Sequence, residues 1–369
     1  MINTKRLLDT FYDYVKIDSE TGDEKEFAEH LVTELEALGL EVSGDDSGKG
    51  ANSTTNNVFA YLAGDEALEP ILFTAHMDTV IPGRGIEPYE EDGVIRSKGN
   101  TVLGADDKSG IAALVEAVRV IKEQNLHCRP VEFLFTVREE SSLGGSRHAD
   151  LSRIRSRNSI AMDGCGPMDE IVTRGSGQIS MQAEIIGQAS HAGGYPEKGI
   201  SAIMVAAEAI SNMKLLRVDE ETTANIGSVN TNNPTNIVCD RLTLAAETRS
   251  RNAGKLEAQA AHMRDCLQKA CDKYGAALHY EQTELYSSFD IPDEHPFVCF
   301  LKEKYRNLGV EAKTASTAVG SDSNILNTKG FTAVVIPTGM TTPHTKQESV
   351  KVEDLEFTAK LALEIMTIF

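Results

Sequence analysis

The stretch Gly104-Ala105-Asp106-Asp107-Lys108-Ser109-Gly110 sets two adjacent carboxylates between glycines, directly ahead of the apolar run Ile111-Ala112-Ala113-Leu114-Val115. That run reads as a helix, so the two acids stand at its entrance. Like charges side by side at a buried helix entrance are costly unless something cationic offsets them. The free N–H groups and dipole of the helix amino terminus supply part of the compensation. A divalent metal would supply far more. Taken singly, Asp107 or Ser109 is also an ordinary helix cap, so the weight of this stretch depends on what the rest of the chain brings to it.

Around it, short apolar runs alternate with amphipathic ones. Val58–Leu62, Ile71–Ala75, Val131–Val137, Ser159–Met162 and Thr332–Ile336 are predicted strands. Helices are predicted from Ser109 to about Glu123, over Phe297–Leu308, near Ser323–Leu326, and from Val352 with Leu355, Ala359, Ala362 and Met366 aligned. Thr21-Gly22-Asp23-Glu24 has the form of a capping box for a helix reaching about Leu38. Such alternation predicts an α/β fold, a mostly parallel sheet with helices on both faces. Sheets of this kind bind ligands beyond the carboxyl ends of their strands. His76, Glu139, Glu140 and Asp163 each follow or end a predicted strand, and Asp106 begins a helix on the same edge.

From about Gln178 the texture changes to strand, helix, strand, strand, helix, strand. This βαββαβ order is the ferredoxin-like split motif, a self-contained unit. The expected organisation is therefore a first domain built from residues 1–177 and 288–369, interrupted by an inserted domain over 178–287.

A length of 369 residues is consistent with two domains. A net charge of -20 argues against nucleic acid or an anionic membrane as partner. No segment approaches the roughly 20 apolar residues needed to span a bilayer, and the amino terminus lacks a signal-peptide core. The six cysteines are scattered without a C-x-x-C pair, the usage of a reducing compartment. A soluble, unexported, cytoplasmic protein is expected.

His76 and Asp78, two apart at a strand end, emerge on one face. Glu139 and Glu140 follow a strand too apolar to be exposed, and both reach one site only if the chain has already turned there, which Ser141, Ser142, Gly144 and Gly145 would allow. Adjacent carboxylates divide naturally into a metal ligand and a free base. Each of these residues alone also fits a plain turn or a solvated strand end, as do Asp163 before Gly164 and His344 in a polar loop. Together, two histidines and three or four acids at one sheet edge suit borderline metals with N and O ligands.

The ordered set His76-Met77-Asp78, Gly104-Ala105-Asp106-Asp107-Lys108, Glu139-Glu140, Asp163-Gly164 and His344-Thr345 resembles the co-catalytic dinuclear zinc exopeptidases, the family of peptidase T, glutamate carboxypeptidase, aminoacylase and succinyl-diaminopimelate desuccinylase. Ser190-His191-Ala192-Gly193, Pro196 to Ala202 and Gly320-Ser321-Asp322-Ser323-Asn324 look most like the peptidase T branch. The resemblance implies two Zn2+ ions, with Mn2+ or Co2+ able to occupy the same ligands, bridged by Asp106 across a cis Asp106–Asp107 peptide. One ion would add His76 and Asp163, the other Glu140 and His344. Asp78 would orient His76, and Glu139 would be the general base. His191, on the inserted lid domain, would stabilise the oxyanion, and Asn236 and Arg249 would hold the substrate. The inserted domain could also join two subunits in a homodimer. The chain departs from the peptidase T pattern in looking shorter and in placing Val137-Arg138 ahead of the paired glutamates, where Pro or Asp is common.

The implied activity is hydrolysis of short peptides by an aminopeptidase. The alternatives are an N-acyl-amino-acid amidohydrolase or aminoacylase, and a non-catalytic metal-binding relative. Against the last stands Glu139, a free base for which metal storage has no use. A nucleotide-binding enzyme is excluded, because no G-x-G-x-x-G or G-x-x-x-x-G-K-[ST] loop follows the first strand.

Overall fold

In a computed structural model, which describes residues 1–368, the chain divides into two compact units. The first comprises Met1–Arg174, Ile291–Ser316 and Ser321 onward; the second comprises Gly175–Asp290 and Thr317–Gly320.

The first unit is built on a sheet whose strands run in the order Glu41–Gly44, Val58–Leu62, Val131–Thr136, Ile71–His76, Asn158–Gly164, Thr332–Pro337, Glu170–Gly175. The four central strands, from Val131–Thr136 to Thr332–Pro337, are mutually parallel, and antiparallel strands flank them. Every residue of Ile71–His76 is buried. A strand buried on both faces needs cover on both, which explains why it reads as an unbroken apolar run rather than an alternating one. Its neighbours are the strands that follow it in sequence, one on either side. That divergence opens the sheet at the carboxyl end of Ile71–His76, where such sheets hold ligands.

The helix Ala105–Gln124 packs against Thr4–Lys16 and Val352–Met366. In Val352–Met366 the stripe Leu355, Ala359, Ala362 and Met366 is fully buried, as its spacing predicts. A small antiparallel sheet in the order Met340–Thr341, Ser349–Lys351, Val94–Lys98, Glu87–Glu91 completes the unit. None of these four strands was apparent from the sequence. They are short and half-exposed, so they lack the apolar density that marks the central strands.

Thr21 does not form the expected capping box. Glu24 is itself the N-cap of Lys25–Ala37 and makes no side-chain cap. Its carboxylate is fully buried and turned to other partners, described below, and the Thr21 hydroxyl donates to the Thr79 carbonyl over 3.3 Å.

The second unit follows the βαββαβ order: Gly177–Ile186, Ala202–Asn212, Thr222–Asn230, Arg241–Ser250, Ala253–Tyr274 and Ala277–Tyr286. All its strand pairs are antiparallel, and Gly177–Ile186 lies between Arg241–Ser250 and Ala277–Tyr286. This is the ferredoxin-like arrangement. Alternate residues of one strand, Ile179, Met181, Ala183 and Ile185, form its core with Val205 and Ala209 of one helix and Leu256, Met263 and Leu267 of the other.

Candidate metal centre

Four segments of the first unit deliver the acidic residues and one histidine to the carboxyl edge of the central strands. His76 is the last residue of its strand and 1% exposed. Its Nδ1 lies 2.9 Å from the backbone carbonyl of Asp78. A carbonyl only accepts, so Nδ1 carries the proton, and in the neutral ring Nε2 presents a lone pair. That lone pair faces Asp106 Oδ1 at 3.0 Å and Asp163 Oδ1 at 3.7 Å.

Asp106 stands where the chain bends into its helix. Its backbone is extended, with φ -79° and ψ 100°, so regular helix begins only after Asp107, and the Asp106–Asp107 peptide is cis. Two glycines allow this approach. Gly104 has a φ of 73°. At Gly110 a Cβ would come within 2.3 Å of the Met162 carbonyl, so only glycine lets the helix lie this close to the Asp163 strand.

The strand Val131–Thr136 ends one residue earlier than expected, and Arg138 turns the chain through the left-handed region at φ 49°. The turn frees Glu139 and Glu140 from strand alternation. The Asp78 carboxylate accepts from the backbone N–H of Glu139 at 2.9 Å and of Glu140 at 3.3 Å. Glu24 completes the brace: its Oε1 accepts from Gly22 and Arg138 N–H, and its Oε2 from the Ser53 hydroxyl. Asp78 therefore does more than the sequence suggested. Its carbonyl holds His76, its Oδ1 lies 3.4 Å from His76 Nδ1, and the carboxylate positions the paired glutamates.

His344 enters on the hairpin loop between Met340–Thr341 and Ser349–Lys351. Its Nε2 lies 3.2 Å from Asp106 Oδ2 and 2.9 Å from Glu140 Oε1. Asp106 thus lies between two imidazoles, with a different oxygen toward each.

Burial opposes ionisation of the acids here, and their mutual repulsion adds to it. Glu139 and Asp107 are pushed well above the usual carboxylate range, Asp163 up to about 7, and Glu140 upward despite its contact with His344. Burial also disfavours protonation of His76, but Asp106, Asp163 and Asp78 outweigh it and raise the imidazole well above its ordinary value. His344 is raised to about 10 by Asp106 and Glu140. Asp106 alone is lowered, because the two histidines outweigh its burial.

These residues fit metal ions. The oxygens of Asp106 and Glu140 lie within 4.8 Å of His76, as do those of Asp107 and Asp163. Without a metal, protons on the two imidazoles bridge these 3 Å gaps; a divalent ion would take their place, since the donors are the N and O atoms that borderline metals take. Asp107 Oδ1 is buried without a hydrogen-bond partner, a cost that a nearby cation would offset.

The other expected residues belong to the second unit. The Nδ1 of His191 accepts from the N–H groups of Gly193 and Gly194 at 3.1 and 3.0 Å. That assigns the proton of the neutral ring to Nε2. Asn236 lies beside His191, its carbonyl accepting from Ala192 N–H at 2.9 Å. Arg249 is already engaged: Nε and Nη2 form a fork on the Glu247 carboxylate at 3.0 and 3.2 Å.

Among the described residues no helix is long and apolar enough to cross a membrane. All six cysteines are free thiols.

Residues 72–367 match the family model described as Peptidase family M20/M25/M40. Uncharacterized protein YqjE of Bacillus subtilis (strain 168) is 39% identical over 366 residues, covering 99% of each chain. Among solved structures, aminopeptidase PepT from Bacillus cereus matches with a TM-score of 0.92 and 39% identity, over 99% of this chain and 98% of that one. A tripeptidase from Staphylococcus aureus matches with a TM-score of 0.96 and 38% identity over the same shares. Sequence and fold agree over nearly the full length, and the chain belongs to peptidase family M20/M25/M40.

Proposed function

We propose that this peptidase is a metal-dependent aminopeptidase of short peptides, with Asp106 bridging two divalent ions, Zn2+ by default. His76 and Asp163 would hold one ion, and Glu140 and His344 the other. The observation that carries the reading is the position of Asp106 between two imidazoles, Oδ1 toward His76 at 3.0 Å and Oδ2 toward His344 at 3.2 Å. A structural carboxylate needs one such partner; a bridging ligand needs both. The names of its relatives, aminopeptidase PepT and a tripeptidase, support short peptides over acylated amino acids.

When bound, the ions supply Lewis acidity toward the amide carbonyl and a water acidic enough to lose its proton near neutrality. Glu139 is the base. Asp78 fixes its backbone, and burial raises its pKa, so that it takes the proton of the attacking water and returns it to the leaving amine nitrogen. His191, with its proton on Nε2, is the proposed donor to the developing oxyanion. Asn236 is the proposed substrate contact. Arg249 would have to exchange Glu247 for a substrate carboxylate to join it.

The second unit exposes Ile203, Met204 and Leu216, and we propose it as the surface through which two copies associate and as a lid that moves in turnover. Six free thiols fit a reducing compartment, and we assign the chain to the cytoplasm.

The test is a panel of di- and tripeptides against N-acetyl amino acids, with and without chelator, alongside metal analysis. Release of an amino-terminal residue from a tripeptide, lost on chelation and restored by metal, is expected. Faster cleavage of N-acetyl amino acids would give the assignment to the amidohydrolase reading instead.

A further inference from the structure

We infer that Glu348 is a positioning residue for the metal centre, joining the loop that carries His344 to the bend that carries Asp106. The inference rests on the ligand assignment proposed above and goes beyond it.

Glu348 is 2% exposed, although a glutamate is seldom buried without a partner. Its Oε2 accepts from the backbone N–H of Leu103 at 2.7 Å and of Gly104 at 2.9 Å. Its Oε1 accepts from the N–H of Asp106 at 2.9 Å. One carboxylate thus satisfies three amides of the segment that leads into the helix and sets the direction from which Asp106 enters the site.

The same side chain holds the other partner. Residues 341–347 are exposed or half-exposed, and Glu348 is the first buried residue of the loop. His344 has φ 61° and a side chain that is 50% exposed, so packing does not fix its ring. Hydrogen bonds within the loop make it a stiff unit: Glu348 N–H to the Thr345 carbonyl, the Thr342 hydroxyl to the Gln347 carbonyl, and Gln347 N–H to the Thr345 hydroxyl. A stiff loop anchored at Glu348 carries His344 with it. The contact of His344 Nε2 with Asp106 Oδ2 is then set from both sides by one buried carboxylate.

Substitution by glutamine tests this at nearly constant volume. Three N–H donors converge on two oxygens, and an amide NH2 in place of either oxygen would turn a donor toward a donor. Glu132 is a matched control. It is also buried and also holds two backbone amides, those of Arg155 and Ser156 at 2.9 Å, but it has no contact with the proposed ligands.

The experiment uses the full chain, stripped by chelator and titrated with Zn2+ by calorimetry and with Co2+ by visible absorption. The wild type is expected to take up two ions. Glu348→Gln should lose roughly 10- to 100-fold in affinity for at least one of them, as groups that orient metal ligands typically do, with an altered Co2+ band for that equivalent. Glu132→Gln should keep wild-type affinities and bands whatever its melting temperature. Thr342→Val, at an exposed position and of nearly equal size, should weaken the same ion by a smaller factor, and it decides the matter if Glu348→Gln does not fold. Wild-type affinities and bands in Glu348→Gln, or in Thr342→Val where it must decide, would overturn the inference and leave the ligand assignment standing. Failure of the wild type to bind two ions would instead overturn the ligand assignment.

Discussion

The backbone N–H of Glu139 donates to the carboxylate of Asp78 over 2.9 Å, so a residue two places beyond the His76 strand also fixes the turn that carries the paired glutamates. One side chain thereby sets the spacing between a proposed ligand and the proposed base. The main consequences can be measured.

Glu139→Gln keeps the size of the side chain and removes its basicity. Turnover of a tripeptide should fall by roughly 10²- to 10⁴-fold, the usual scale for a general base. Metal content should stay near that of the wild type. Retained turnover at normal metal content would refute the assignment of Glu139.

Asp78→Asn should act more broadly. The amide cannot accept from both Glu139 and Glu140 N–H as the carboxylate does, so the turn loosens. A fall in kcat of about 10- to 100-fold is expected, together with weaker metal retention on dialysis. A variant with low kcat and fully retained metal would place Asp78 with the base alone.

His191→Ala should lower kcat by roughly 10²- to 10³-fold, the scale of one oxyanion donor. The metal affinity of the stripped protein should not change, because His191 is not a proposed ligand. A loss of metal would contradict that separation.

Chelation should lower the melting temperature as well as abolish activity. Without cations, the buried acids of the centre repel one another, offset in part by His76 and His344. Binding at a hundredfold excess over Kd adds about 2.7 kcal/mol. Restoring Zn2+, Mn2+ or Co2+ should recover the transition, and an unchanged melting curve would speak against a dinuclear site.

Lys108 makes a pH prediction for the metal-free protein. It is fully buried, its Nζ donates to the Ile17 carbonyl over 2.7 Å, and it lies over the Phe27 ring. Burial lowers its pKa to about 7, against 10.5 for a free lysine. Between these values the unfolded chain holds a proton that the folded chain does not, so this residue makes stability rise with pH across that window. Below about 7 the cost of the buried charge is present in full. Lys108→Met should therefore be most favourable relative to wild type at or below pH 7 and should lose that advantage toward pH 10. A difference in melting temperature independent of pH would show that Lys108 does not titrate there.

The order of residues was enough to place most of the candidate residues at one edge of a sheet. The apolar density of Ile71–Ala75 and Val131–Val137 marks buried parallel strands, and that of Ile111–Val115 a buried helix, because burial on all sides leaves its trace in neighbouring residues. His76 and the acids at the ends of those elements then share one edge by topology, whereas His344 arrives on a hairpin of the small sheet. The partners that hold them there were beyond such reading. Glu24 looked like half of a capping box and instead braces the Glu139 turn. Glu348 had no local signature, yet it accepts from amides as many as 245 positions away. Arg249 looked available for substrate and is occupied by Glu247. Periodicity and caps are short-range, so a sequence displays them. Which distant amide a buried carboxylate meets depends on how the elements pack, and only the folded chain supplies that.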